Sequence, residues 1–152
     1  MEPILISACL LGASCRYDGG SKPVLSVEAL MGKYQLVPVC PEQLGGLPTP
    51  REPSERQGAR VVMKSGTDVT EQYRRGAEQA LHLARVFGCT KAVLKERSPS
   101  CGTGEIYDGT FSGRLIPGDG VTAEVLKAHG IEVFGESEIE ALLEALDEPG
   151  VF

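Results

Sequence analysis

Three cysteines of this chain lie at or just beyond the ends of apolar segments, although they are far apart in the sequence. Cys9 closes the segment PILISAC, Cys40 closes QLVPVC, and Cys101 lies in the loop that follows the short run KAVL. If these segments are parallel strands of one sheet, their carboxyl ends meet at the edge where open α/β sheets bind ligands. The sequence therefore predicts that Cys9, Cys40 and Cys101 share one functional site. Thiolates bind both zinc and iron–sulfur clusters, and the spacing alone does not choose between them.

The other two of the five cysteines have different surroundings in the sequence. Cys15 follows Cys9 in the same loop, and it is a fourth ligand, an auxiliary thiol or a passive loop residue. Cys89 lies between a helix end and the start of the next strand, so we expect a buried structural thiol at the opposite edge of the sheet. The chain has no C-x-x-C pair, which counts against a zinc ribbon and the ordinary ferredoxin pattern. A site with three cysteines leaves one coordination position open, as catalytic metal sites do.

Polar residues with useful chemistry lie next to these cysteines. Glu42 is two residues from Cys40 and is either a solvated carboxylate or a group that moves protons at the site. Ser98 and Ser100 flank Pro99 just before Cys101, and they either cap loop amides or orient a substrate and relay a proton. Arg16, Arg51 and Arg97 are interpreted as ion-paired scaffold residues or as anchors for a polar substrate. His82 is interpreted as a surface or packing residue of the long helix, and His129 ends a helix, where a cation favours the dipole. Neither histidine is proposed as a ligand.

The segments that must position these residues alternate between strands and helices. The predicted strands are 3–9, 35–40, 59–64, 91–94 and 131–134, with 59–64 as one arm of a hairpin; the predicted helices are 26–33, 68 or 70 to 87, 121–129 and 137–146. The long helix has apolar residues three and four apart, which gives it one buried face, and Gly88 ends it. This order predicts an α/β fold: a single three-layer Rossmann-like domain over residues 1–152, with a mostly parallel sheet and helices on both faces.

The composition limits the partners. The formal net charge is −6 and the pI is about 5.0, and no basic stripe is present, so a nucleic-acid polymer is not expected. Recognition of a small nucleobase needs a pocket and not a positive field, so the acidic charge does not exclude such a ligand. No apolar run approaches the roughly 20 residues of a membrane helix, and the start MEPI lacks a basic region followed by a long apolar stretch. We therefore expect a cytoplasmic protein whose clustered cysteines are reduced.

Four segments identify a family that the chain resembles. ISACLLGASCRYDGGSK, VCPEQLGGLPTPREPSE, ERSPSCG and IYDGTFSGRLIPGDGVTA occur in this order, and together they resemble the bacterial family, formerly of unknown function, that includes the thiouracil desulfidases. The resemblance implies a [4Fe–4S] cluster held by Cys9, Cys40 and Cys101, with one iron open to the sulfur of a small thiolated nucleobase or nucleoside. It implies that the C=S of the base becomes C=O with release of sulfide and no net redox change. Glu42 and Ser98 match the family's proposed acid–base pair, and Ser100 is kept as a second candidate in the same motif.

Three other functions remain open at this stage. An iron–sulfur protein that stores or delivers sulfide would use the same ligands without needing Glu42. A structural zinc or redox-sensing module would bind one metal ion and unfold when the metal is removed. A metal-free binding domain would tolerate replacement of Cys9 and Cys40. The sequence does not indicate the oligomeric state.

Overall fold

The computed structural model describes residues 1–24 and 26–147. In this part of the chain the strands are β1 (Glu2–Ser7), β2 (Tyr34–Val39), β3 (Ser54–Gln57), β4 (Arg60–Met63), β5 (Lys91–Leu94), β6 (Glu105–Tyr107), β7 (Leu115–Pro117) and β8 (Glu132–Gly135). The α-helices are α1 (Val27–Met31), α2 (Pro41–Leu44), α3 (Thr70–Phe87), α4 (Val121–Ala128) and α5 (Ile139–Asp147).

The central sheet has four parallel strands in the order β2-β1-β5-β8. β1 lies in the middle, with Ile4 opposite Leu36 of β2 and Leu5 opposite Ala92 of β5. The chain passes from β1 to β2 on one side and later returns to β5 on the other side. The carboxyl ends of β1 and β5 therefore flank the point where the strand order reverses, which is the usual ligand crevice of such sheets.

Helices cover both faces of this sheet because the side chains of each strand alternate between the faces. One face joins strand residues to α3 and α4, and its core includes Leu5, Val37, Val39, Ala80, Ala84, Ala92 and Leu126. The opposite face joins strand residues to α1 and α5, and its core includes Ile4, Ile6, Leu30, Val93, Ile139 and Leu142. The predicted three-layer α/β architecture with a mostly parallel sheet is confirmed.

Two antiparallel hairpins stand apart from the central sheet. β3 pairs with β4, which confirms that 59–64 contributes one arm of a hairpin. β6 pairs with β7, and this hairpin was not predicted because three-residue strands separated by glycines carry no clear periodicity. The hairpins contact each other: the side-chain amide of Gln57 donates to the carbonyl of Gly109 at 2.9 Å.

The ends of two strands differ from the prediction at the cysteines. β1 ends at Ser7, and Cys9 lies in a one-turn 3-10 helix, Ala8–Leu11, which Gly12 closes with a positive φ of 98°. β2 ends at Val39, and Cys40 precedes the unpredicted helix α2, whose first residue is Pro41. Proline suits the first position of a helix because its φ is already helical and its missing N–H would have no partner there.

The longer helices lie close to their predicted positions. α3 begins at Thr70 and ends where Gly88 adopts a φ of 72°. α5 begins two residues later than predicted, because Glu136–Glu138 form a 3-10 turn before it. Within the residues described, no helix is both long enough and apolar enough to cross a membrane.

Candidate functional site

A cavity of about 600 Å³ opens at the carboxyl edge of the sheet, and four cysteines line it: Cys9, Cys15, Cys40 and Cys101. Each of the four is a free thiol, and all but Cys40 are buried. Glu42 and Ser98 line the same cavity. Cys89 is buried in the core formed with α3 and α4 and is not part of the lining. The structure therefore brings together three distant loops that the sequence predicted to meet.

Ser7 joins the two strands that flank the crevice. Its hydroxyl accepts a hydrogen bond from the backbone N–H of Lys95 at 2.9 Å, which ties the end of β1 to the end of β5. The Ser7 side chain also lowers the pKa of the Cys101 thiol, in opposition to burial, which raises it. The loops that carry Cys9 and Cys101 thus start from a fixed point.

Two glycines determine where Cys40 and Glu42 lie. A Cβ atom on Gly76 of α3 would collide with the carbonyl oxygen of Pro41, and one on Gly45 would collide with the carbonyl oxygen of Gln72. The backbones of α2 and α3 can approach this closely only because both positions lack a side chain. Helix α2, which directly follows Cys40 and contains Glu42, therefore packs with its backbone directly against α3.

Arg51 connects the loop of Cys15 to the segment that follows Cys40. Its side chain is only 3% exposed, and it donates to Glu42 Oε1 at 3.1 Å and to the carbonyl of Cys15 at 2.9 Å. It also donates to the carbonyl of Pro48 and the hydroxyl of Thr49. Since a guanidinium has five donors in a fixed plane, one buried arginine can hold several loop atoms in a set geometry.

Glu42 has a second partner on α3. The hydroxyl of Tyr73 donates to Glu42 Oε1 at 2.8 Å, beside the bond from Arg51. Within the described part of the chain, Glu42 Oε2 accepts no hydrogen bond, so this oxygen is available to a molecule in the cavity. Burial, followed by the nearby Glu42 carboxylate, raises the pKa of Tyr73 far above its usual value, so the phenol stays protonated and remains a donor.

The loop of Cys101 is held by Ser98 and by the start of α4. Ser98 Oγ accepts from the backbone N–H of Ser100 at 3.1 Å and of Cys101 at 3.0 Å. The first backbone N–H groups of α4 donate to carbonyl oxygens of this loop. Val121 donates to Pro99 at 2.9 Å, and Thr122 donates to Ser100 at 2.8 Å. The Ser100 hydroxyl is buried against the hydroxyl of Thr122 at 2.7 Å. Ser98 therefore faces the cavity, whereas Ser100 is not part of its lining.

Burial raises the pKa of three thiols at the site. The pKa of Cys9 rises to about 11, and those of Cys15 and Cys101 rise to about 12. Neighbouring thiols add to the rise, while Lys95 near Cys9 and Arg51 near Cys15 oppose it. These thiols are protonated at neutral pH, and a bound metal would be needed to hold them as thiolates.

The donor set fits a thiolate-bound iron–sulfur group. Among residues 1–24 and 26–147, no three histidine, cysteine or acidic side chains are arranged to share one metal ion. In an iron–sulfur cluster each thiolate binds its own iron, so the ligands surround a larger body and need not approach a common point. Three soft sulfur donors around an open cavity suit such a cluster.

Several residues of the site were not predicted in these roles. Tyr73 belongs to the buried face of α3, and a tyrosine hydroxyl on an apolar face was the signal for a polar partner. The hairpin β6–β7 supplies Tyr107 and Phe111 to the cavity.

Arg16 lies over the ring of Tyr17, 5.9 Å from its centroid, at the same cavity. Arg97 also lines the cavity, 3.6 Å from Glu105. Neither histidine belongs to the lining.

Comparisons with known proteins agree with these motifs. Residues 4–138 match the sequence model of the 2-thiouracil desulfurase family. The YbbK protein of Bacillus subtilis (strain 168), which is uncharacterised, is 45% identical over 150 residues; the match covers 92% of this chain and 99% of YbbK. The solved structure of the [4Fe-4S]-dependent thiouracil desulfidase TudS is 50% identical and superposes with a TM-score of 0.92, covering 97% of this chain and 99% of TudS.

Proposed function

The chain belongs to the 2-thiouracil desulfurase family, and from this premise we propose that it is an enzyme that replaces the sulfur of a thiolated pyrimidine base with oxygen. The reaction is a hydrolysis: the C=S of thiouracil and one water give the C=O of uracil and hydrogen sulfide, with no change of oxidation state. One observation carries the proposal, namely that Cys9, Cys40, Cys101 and Glu42 line a single cavity at the crevice between β1 and β5.

We assign the cofactor from the same cavity. Cys9, Cys40 and Cys101 would hold a [4Fe–4S] cluster, the cofactor named for TudS. When bound, the cluster would supply a thiophilic iron without a protein ligand, and such an iron prefers sulfur to oxygen donors. Cys15 also lines the cavity, and we assign it no ligand role.

Glu42 is the proposed proton acceptor. Arg51 and Tyr73 both donate to Oε1, so the carboxylate of this cavity-lining residue is fixed in one orientation, and Oε2 accepts no hydrogen bond from the described residues. This oxygen can take a proton from the attacking water. The hydroxyl of Ser98 accepts two backbone N–H groups, so its own proton is free to be donated to the substrate. A positioned acid or base of this kind contributes roughly 10²- to 10⁴-fold to a rate.

The test is anaerobic reconstitution with iron and sulfide, followed by measurement of sulfide and uracil formed from 2-thiouracil and 4-thiouracil. We expect an iron content equal to one [4Fe–4S] cluster per chain and equal amounts of sulfide and uracil. Cys101→Ser should lose both the cluster and the activity. Cys89→Ser is the matched control, because the Cys89 thiol is buried in the core outside the cavity. This variant should keep both the cluster and the activity. A loaded protein that releases no sulfide from any thiolated pyrimidine would reject the activity.

Glu42→Gln separates this enzyme from a protein that stores or delivers sulfide. The substitution keeps the shape of the side chain but removes its ability to accept a proton. We expect the cluster spectrum to be unchanged and kcat to fall roughly 10²- to 10⁴-fold. A variant that keeps full activity would show that Glu42 is not the proton acceptor.

A further inference from the structure

We propose that Phe111 is the residue that recognises the ring of the substrate, by stacking its phenyl face on the pyrimidine. This inference rests on the proposed function, because it names how the same cavity selects its substrate. Phe111 lies in the turn between β6 and β7, and it lines the cavity together with Tyr107 of β6. The cysteines and Glu42 provide for the sulfur and the proton, but neither distinguishes a flat ring from another thiocarbonyl compound.

The backbone holds Phe111 in a conformation that a bulky residue seldom adopts. Its φ is 57°, and in the described part of the chain Arg97 is the other non-glycine residue with a positive φ. Such a conformation is unfavourable for a bulky side chain and persists only where the surroundings impose it. At this position the backbone places an aromatic ring in the lining of a cavity that also contains thiols and charged groups.

The surroundings that impose this conformation come from the other hairpin. Glu55 Oε1 accepts the backbone N–H of Gly109 at 2.9 Å and of Phe111 at 3.1 Å. Within the turn, Asp108 Oδ1 accepts from the backbone N–H of Thr110 at 2.9 Å. The turn is therefore preorganised, and little ordering entropy needs to be lost when a ligand meets the ring.

The other aromatic residues of the cavity are weaker candidates. Tyr17 is 40% exposed, and the guanidinium of Arg16 already lies over its ring. Tyr107 lies in the regular strand β6 and carries a polar hydroxyl. Phe111 lines the cavity with a ring that carries no polar group, and stacking on an aromatic side chain is a general way in which proteins hold a nucleobase outside a duplex.

The first measurement compares steady-state constants for 2-thiouracil. We expect Phe111→Leu to raise KM about tenfold, within a range of about 5- to 100-fold, while kcat changes much less. Phe111→Tyr keeps the ring and should stay within about twofold of the wild type. Phe87→Leu is the control, because Phe87 is exposed at the end of α3, outside the cavity lining. An unchanged KM in Phe111→Leu would overturn the proposal.

The second measurement detects the contact without turnover. The chain contains no tryptophan, so Phe111→Trp introduces a single tryptophan at the turn, and Phe87→Trp introduces one outside the cavity lining. Uracil added to the reconstituted protein should change the emission of Phe111→Trp in a saturable way and leave Phe87→Trp unaffected. The absence of any change with Phe111→Trp would contradict the stacking. If the wild type releases no sulfide, the proposed function fails, but this emission still decides whether a pyrimidine binds against residue 111.

Discussion

At the scale of single residues, the site separates the anchoring of its loops from its chemistry. Arg51 and Tyr73 use one oxygen of Glu42 and leave the other free, so the carboxylate is oriented without being blocked. For Ser98 we propose both tasks, because its oxygen accepts two amides of the Cys101 loop and the residue lines the cavity. For Ser100 we propose the structural task alone, since its hydroxyl is buried against Thr122 and the residue is not part of the cavity lining.

The two serines should therefore respond differently to loss of the hydroxyl. We expect Ser98→Ala to lower kcat by about 10²-fold, and Ser98→Thr to recover part of it. Ser100→Ala leaves the Thr122 hydroxyl without its partner, so it should lower the free energy of unfolding by about 1–3 kcal/mol and change kcat by only a few-fold. Chemical denaturation and sulfide release of loaded variants measure the two effects. Equal loss of kcat in both alanine variants, at equal iron content, would contradict this division.

At the scale of elements, periodicity predicts the long segments well and the short connecting ones poorly. α3 and β5 carry strong signals and lie where the pattern indicates, because burial of one face or of a whole strand fixes their sequences. α2 has four residues and the strands of the second hairpin have three each, too few to show a period. These short elements supply Glu42 and frame Phe111, so the sequence predicts which loops meet but not the details of the site.

The contact of α2 with α3 can be tested through Gly76. In a helix interior, alanine is favoured over glycine by about 1 kcal/mol, so propensity alone predicts that Gly76→Ala stabilises the chain. The new Cβ, however, would collide with the carbonyl oxygen of Pro41, which belongs to backbone and cannot rotate away. We expect a net destabilisation of about 1–3 kcal/mol and a lower cluster content, since Cys40 directly precedes Pro41.

Thermal unfolding and iron analysis measure both effects of Gly76→Ala. Arg75→Ala changes the neighbouring, exposed position of the same helix and should leave both values near those of the wild type. A Gly76→Ala protein that is more stable than the wild type and fully loaded would show that α2 shifts without consequence.

At the scale of the whole molecule, the cavity lies where the two cores of the sheet meet. Cys101 packs with the core formed by α3 and α4, whereas Cys9 and Cys15 pack with the core formed by α1 and α5. A group bound to Cys9, Cys40 and Cys101 would therefore join layers on opposite faces of the sheet. Each layer nevertheless has its own apolar core, and a chain of this length buries roughly 70% of its unfolded surface without any metal. We infer that the cofactor strengthens a fold that already exists.

Removal of the cluster by oxidation and chelation should lower the melting temperature without unfolding the chain. A ligand present at 100 times its dissociation constant stabilises the folded state by about 2.7 kcal/mol, and each kcal/mol corresponds to about 2–4 °C for a chain of this size, so we expect a decrease of about 5–10 °C. Circular dichroism at 25 °C should keep its helical signal. Cys89→Ser, treated in the same way, should show the same difference between loaded and cluster-free protein. Complete unfolding on chelation would instead indicate a metal on which folding depends. That result would favour the structural zinc module with which the three cysteines are also compatible.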